Sequence, residues 1–574
     1  MLAVHRPCNL TPQQTRTLYR LWARFFRLCQ TPASTASASA SVHSATLPNG
    51  SGASPLRTTR SRGGGGMAEA SGGADEEGSS DTAARSEPNG ANLGRHIPRD
   101  DGVKDELKTL EEAKEMRVFL ARYGGERLRS VFWEMTKGEH PDALMLRFLR
   151  ARRWDVDRAI AVIGSTANFR VENEVAEVLR GGELNLTRTR GGLNLFANGV
   201  SYAYGASRDG EPVYLIEVGS HFSHNQTQAE LKRAVILHQE WLSLLMPPPV
   251  EQKIVIFNLR NFGLRNMDWW TVFFMVKTME SYYVESLARV YVHCPPWIFK
   301  PIWIILRPLL DPVVRDKIRL TSTLEELEEL IPAHHLPRDS MGGSADWGYS
   351  YPPPEEHEND AQLDTARRAE LQAAHDAAAA EFERLTRQVA RAYSSRRAAV
   401  PRRSSDADPT SAATTDSEFD EDDEDDDAHA DIAADVKALR DVAATRLRVA
   451  WLRLMPYIIG RTVYNRWNVA RDDGSVMWTY DAIDGTHEEQ RLGEGTTLPV
   501  LEENLAQLDA ALGNVEPRAN GSTNGASASA PHARQRSHQR MRTAGSRSFV
   551  LDEALGMMGD GAKKKDGALA TPGE

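Results

Sequence analysis

Apolar positions recur every three or four residues along several stretches of this chain, and in one region they gather into short β-like runs instead. Over 11–29, Leu18, Leu21, Trp22, Phe25 and Leu28 fall on one side of a helix, with Arg16, Arg20, Arg24 and Arg27 largely on the other. From 103 to about 173 the spacing is again helical: Leu107 and Leu110, Met116 to Leu120, Leu144 and Phe148, then Val156, Ile160, Ile163 and Ala167. Asp155 stands where the last of these helices needs an N-cap. After Tyr351-Pro352-Pro353-Pro354, the positions Leu371, Ala374, Ala378, Phe382, Leu385 and Val389 predict a long helix that packs back on the chain or self-associates. Another is predicted from about 431 to 454, ended or kinked at Pro456. Trp451, Leu454, Tyr457, Ile458, Tyr464 and Trp467 make that end apolar, and a short helix is expected near 500–512.

Between 200 and 347 the pattern changes. Runs at 201–206, 212–218, 253–259, 289–293 and 317–321 predict strands, and 226–245, 267–282 and 322–331 predict helices between them. Such alternation argues for an α/β layer with a largely parallel sheet, and Asp209-Gly210 supplies a tight turn between the first two strands. The organisation read from the pattern is a leader over 1–102 with an amphipathic helix at 11–29, a helical subdomain over 103–180 and an α/β domain over 190–348. A long helix at 355–395, a polar then acidic linker at 396–430, a helical region at 431–513 and a disordered tail at 514–574 follow.

Composition sharpens this picture at three points. The chain has 574 residues, room for two or three domains, and three scattered cysteines, Cys8, Cys29 and Cys294, which exclude a disulfide framework. The net charge is −11, but ten acids lie within 416–427, so the remainder is nearly neutral and a bulk polyanionic partner such as nucleic acid is not indicated. Residues 1–68 hold eight arginines and no acid or lysine, as a mitochondrial transit peptide would; a membrane-surface helix and initiation at Met67 are the other readings of this leader. Thr414, Thr415 and Ser417 before the acidic run, and Ser405 after Arg402-Arg403, are candidate phosphorylation sites, although a solvated spacer explains the segment as well.

Chemistry is concentrated in 294–314, CPPWIFKPIWIILRPLLDPVV, apolar nearly all round with only Lys300, Arg307 and Asp311 charged. Five prolines interrupt it, and no apolar run in the chain reaches the roughly 20 residues that span a bilayer, so it is either a buried helix or a movable cover over an apolar cavity. Catalytic signatures are absent: no GxSxG, phosphate loop, HExxH or CxxC, so an enzyme is not expected. His221 with His224, and His334 with His335, are pairs without a third ligand, and no metal site is expected from them.

Four phrases in order, LRFLRARRWDVDRAI (146–160), YYVESLARVYVHCPPWIF (282–299), LLDPVVRDKI (309–318) and IPAHHLPRDSMGG (331–343), resemble the CRAL-TRIO lipid-transfer family, in particular fungal secretory-type phosphatidylinositol transfer proteins, over about 103–348. The resemblance implies an α/β CRAL-TRIO fold: a helical N-terminal bundle, then a lobe whose mostly parallel sheet floors an apolar pocket gated by a helix near 297–310. It implies headgroup contacts at Arg152, Arg153, Glu285 and Lys317, with Val314 standing where a phosphate-binding hydroxyl is usual. The residue types suit that task, since a buried phosphodiester requires cationic donors and a carboxylate accepts hydrogen bonds from inositol hydroxyls. Trp297, Ile298, Phe299, Ile302, Trp303 and Ile304 are the expected gate and membrane contacts. The expected ligand is phosphatidylinositol or another phospholipid, with no cofactor, a peripheral membrane association in the cytoplasm and a protein partner for the C-terminal helices. A lipid-sensing scaffold and a carrier of sterol or squalene are the alternatives.

Overall fold

The computed structural model describes residues 10–34, 101–395, 427–493 and 497–513. The polar segments expected to be disordered, including most of the leader, nearly all of the acidic linker with its candidate phosphorylation sites, and the tail, lie outside the described residues.

The leader helix is α1 (Pro12–Leu28). Thr11 starts it with a capping box: its hydroxyl accepts from Gln14 N–H, and the Gln14 side chain accepts from Thr11 N–H. Its apolar face does not meet a membrane. Leu18, Tyr19, Leu21, Trp22, Phe25 and Phe26 are buried among residues of the helices that follow, while Arg16, Arg20, Arg24 and Arg27 stay exposed. Those helices are α2 (Asp101–Thr136), α3 (Pro141–Ala151), α4 (Val156–Glu172), α5 (Val175–Leu186) and α6 (Arg190–Ala197). Asp155 caps α4 by accepting from Arg158 N–H. Helix α2 changes direction at Gly124, φ 75°, beside Gly125, where a Cβ would lie 2.0 Å from the Leu28 carbonyl oxygen. The Gly-Gly pair is therefore the seat for the end of α1.

The α/β lobe follows as β1 (Ser201–Ala206), β2 (Pro212–Glu217), α7 (Gln228–Leu244), β3 (Lys253–Asn258), α8 (Trp269–Ser281), β4 (Leu287–His293), α9 (Phe299–Leu306), α10 (Pro312–Lys317) and β5 (Ile318–Thr321). The sheet runs in the order β1-β2-β3-β4-β5, antiparallel between β1 and β2 across the turn at Gly210 and parallel for the rest. The helix expected over 322–331 shrinks to α11 (Glu325–Glu328), because Glu326 turns back to accept from Ser322 and Thr323 N–H and holds the start of that segment as a turn. Helix α12 (Arg338–Met341) closes the lobe.

The C-terminal part is not an appendage. Helices α13 (Thr365–Ser395) and α14 (Asp427–Ile458) pack along one another and α13 packs on α1, so the three share one apolar cluster with α2, α3 and α4. In α13 the buried stripe is Leu371, His375, Ala379, Phe382, Leu385 and Val389, while Ala374, expected inside, is exposed. Deep in this cluster Arg440 forms a bidentate pair with Asp142, at 2.6 and 2.5 Å, and also donates to Thr386 Oγ1, while Trp22 Nε1 donates to Asp142 Oδ1 at 2.7 Å. Burial alone would raise the Asp142 pKa, but the neighbouring guanidinium holds it well below the usual carboxylate range.

After α15 (Val463–Arg466) the chain forms a hairpin, β6 (Val476–Asp481) and β7 (His487–Leu492), and ends the described part with α16 (Leu498–Gly513). The sequence reading named 431–513 a helical region and placed no strand in it. The hairpin corrects it, and its signals were present in the alternating Val476, Trp478 and Tyr480 and the turn at Asp484-Gly485. This extension covers the open edge of the sheet: Ala203 N–H on β1 donates to Tyr464 OH at 2.8 Å, and Ala206 N–H to Tyr480 OH at 3.0 Å. Two phenol groups thus satisfy strand donors that would otherwise offer themselves to another chain.

Candidate functional site

Helices α8 and α9 are the most apolar in the lobe and among the least covered. The sequence of α8 begins WWTVFFMV, yet only Thr278 and Met279 are buried; Trp269 and Phe273 are exposed, and Trp270, Phe274 and Met275 lie half-buried against the main core. On α9 only Ile302 is buried, in a small cluster with Leu259, Phe262 and Val292 that is separate from the main core. Trp297 is 80% exposed and Ile304 72%. No side chain caps α9, and Pro296, Pro301, Pro308 and Pro312 interrupt its surroundings, so few interactions pin it to the sheet.

The expected gate residues therefore divide. Trp297 and Ile304 project outward, Ile298, Phe299 and Trp303 are half-buried, and Ile302 is the anchor beneath them rather than a surface contact. Ile305, Leu309, Val313 and Leu320, which the sequence reading did not single out, extend the exposed apolar surface, and Lys300, Arg307 and Arg319 are exposed beside it.

The expected headgroup residues also divide. Glu285, in a left-handed conformation at φ 54°, precedes β4, and its carboxylate lies 3.7 Å from Lys317 Nζ at the end of α10. Lys317 further donates to the Leu287 carbonyl at 2.6 Å. Val314 packs half-buried against the main core, and Val284, beside Glu285, is buried in the cluster of the helical part. Arg152 is engaged by a carboxylate of α2. It is 6% exposed, and its fork is paired with Glu112 on α2, Nε to Oε2 at 3.0 Å with a second bond from Nη2 to Oε1. A buried guanidinium requires a carboxylate, and the fold supplies one from 40 residues upstream. Arg153, exposed, neighbours Asp105 of the same helix and helps lower the pKa of that carboxyl, after the hydrogen bond and charge from Arg158.

Helix α2 is what sequence reasoning missed here. One face of it reaches Arg158 through Asp105, Lys277 through Glu111, Arg152 through Glu112 and Ser165 through Glu115, while Lys108 lies 3.4 Å from Asp311, just beyond α9. The recurrence of charge at 105, 108, 111, 112 and 115 was its signal. A cavity of about 160 Å³ lies beside Glu285, lined by its neighbours Tyr283, Val284 and Ser286 and by Lys137, Arg170, Glu240, Lys253 and Trp451 among others. It is too small and too charged for two acyl chains. Among the described residues no helix is long and apolar enough to cross a membrane.

A helical part leading into a mostly parallel sheet is the fold the motifs implied. Residues 102–164 match the CRAL/TRIO N-terminal domain and residues 196–343 the CRAL/TRIO domain. The chain is 31% identical over 277 residues to a phosphatidylinositol transfer protein CSR1 of Eremothecium gossypii, covering 46% of this chain and 63% of that protein. It is 31% identical over 262 residues to the CRAL-TRIO domain-containing protein C3H8.02 of Schizosaccharomyces pombe, covering 46% of this chain and 59% of that protein. The matched part thus spans about three fifths of either relative's length. A solved structure, that of Sfh5, gives a TM-score of 0.30 at 14% identity over 35% of this chain and 73% of that one.

Proposed function

We propose that this protein binds a phospholipid, phosphatidylinositol foremost, and exchanges it between membranes. The observation that carries the reading is the half-covered apolar surface of α8 and α9 beside the sheet. Two acyl chains hold roughly thirty methylenes at about 0.8 kcal/mol each, so a carrier must enclose them and must open to release them. In this reading α9 moves as the gate while Ile302 leaves its small cluster. Trp297, Ile304 and Ile305 enter the interface, and Lys300 and Arg307 meet anionic headgroups. Lys317 neutralises the phosphodiester and Glu285 takes hydrogen bonds from the inositol hydroxyls, each exchanging its present partner for the lipid. Arg152 holds α3 to α2, and Arg153 is the exposed cation of that pair. The relative named a phosphatidylinositol transfer protein supports this cargo over sterol or squalene. The apolar stripe of α13 faces the other helices inside the molecule, which speaks against that stripe as a scaffold surface.

The test is transfer of labelled phosphatidylinositol between vesicles by the full chain, with native mass spectrometry of the lipid that co-purifies. Lys317→Ala and Glu285→Ala are expected to lower transfer at least tenfold and to lose the co-purified lipid. A sterol or hydrocarbon retained by both variants would overturn the proposed cargo.

A further inference from the structure

The C-terminal hairpin meets the lobe at a cluster that the lipid site does not use. His334 and His335 form a short turn before α12, and Glu488 stands on β7, 154 residues further along. His334 Nε2 lies 2.7 Å from Glu488 Oε2, and His335 Nε2 lies 3.5 Å from Glu488 Oε1. One donor atom from each of the three residues falls within 4.8 Å of the others.

The decisive residue is His335, which is 2% exposed. Its Nδ1 lies 2.7 Å from the Ala206 carbonyl oxygen, and because a carbonyl only accepts, Nδ1 carries the proton of the neutral ring. Nε2 is then a lone pair. It is buried, it has no hydrogen-bond partner, and it faces a carboxylate oxygen, which is also an acceptor. Two facing acceptors repel unless a cation stands between them. The ring is held in place by Tyr480, stacked at 3.7 Å and 9°. An imidazole whose far N–H is pinned to a backbone carbonyl while its other nitrogen points at a carboxylate is the usual setting of a metal-bound histidine.

We propose that His334, His335 and Glu488 bind one divalent transition ion of the zinc class, with water completing the coordination. Two imidazoles and a carboxylate suit Zn²⁺, whereas Ca²⁺ and Mg²⁺ favour all-oxygen sites. Ligand atoms around a tetrahedral Zn²⁺ stand roughly 3.3 Å apart, so the His334–Glu488 hydrogen bond opens slightly and the His335–Glu488 distance is already close. The ion clips the β6–β7 hairpin to the lobe at the place where Ala206 is held twice, through its N–H by Tyr480 and through its carbonyl by His335. It acts on the cover of the sheet edge and has no part in lipid binding.

The experiment uses the full chain, stripped with a chelator and dialysed. It is titrated with Zn²⁺ by calorimetry and with Co²⁺ by visible absorption. The expected result is one ion per chain, a Co²⁺ band characteristic of low coordination number, and a melting temperature that rises with Zn²⁺ concentration. Glu488→Gln and His334→Asn, both at partly exposed side chains, are expected to keep the wild-type circular dichroism while weakening Zn²⁺ binding at least a hundredfold and removing the Co²⁺ band. No saturable binding by the parent, or binding undiminished in well-folded Glu488→Gln, would overturn the proposal and leave a hydrogen-bonded pair only.

Discussion

Lys253 opens β3 with its ammonium fully buried, donating to Gln239 Oε1 at 2.9 Å and reaching Ser286 Oγ at 3.4 Å, both neutral. Burial, reinforced by Lys137 and Arg147, lowers its pKa to about 7. Between pH 7 and the ordinary lysine value near 10.5 the unfolded chain binds a proton that the folded chain does not, so stability rises with pH across that window. Below pH 7 the cost of burying the charge is present in full. Lys253→Met is therefore expected to raise stability at pH 7 by on the order of 2 kcal/mol and to flatten the rise toward pH 10. Urea unfolding at pH 6, 7, 8 and 9 checks this, and parallel profiles for parent and variant would refute it. Arg152 and Ile302 show at the same scale where residue types stop being informative. The sequence displays a cation and an apolar side chain, but whether the first faces a phosphate or Glu112, and whether the second faces lipid or Phe262, depends on groups brought from elsewhere in the chain.

At the scale of elements, α1 and α9 have similar patterns and opposite fates. Both are strongly apolar on at least one face, and both were open to a membrane role. The difference is in their surroundings: Gly125 leaves room for the end of α1, and Phe132 and Phe382 meet its Trp22, whereas the outer face of α9 has no such partner among the described residues. A chain starting at Met67 would lack α1 and leave Phe132, Phe382 and the Arg440–Asp142 pair uncovered, at a cost of several kcal/mol. Such a chain is expected to unfold at a clearly lower urea concentration and to bind a hydrophobic dye. A synthetic peptide of residues 10–34, added in trans, is expected to restore part of the loss. Equal unfolding midpoints for the two chains would show that α1 contributes little to the fold.

At the scale of the molecule, the matched family unit does not contain its whole core. Glu183 on α5 is buried, with its carboxylate bonded to Val463 N–H, Tyr351 OH and Arg466, and Arg466 also pairs with Glu358. Removing residues 355–574 deletes two of those Glu183 partners and both phenols that cap β1, leaving a buried carboxylate and an open strand edge. The truncated chain is expected to aggregate or to expose apolar surface, which size-exclusion chromatography and dye binding would report. A monomer as stable as the full chain would overturn this account of the extension. By itself the sequence determined the alternation of strands and helices, the five strands of the sheet, the amphipathic α1, α13 and α14, and the family phrases, because each is written in spacing over a few neighbouring residues. The tertiary structure alone decided that α1 is core, that Arg152 serves Glu112, that Ile302 anchors α9, and that Glu488 stands with His334 and His335. Those outcomes join residues from 40 to 360 positions apart. Their partners are selected by burial, which makes an unpaired charge or an uncovered ring costly, and no local pattern encodes which distant group will meet that cost.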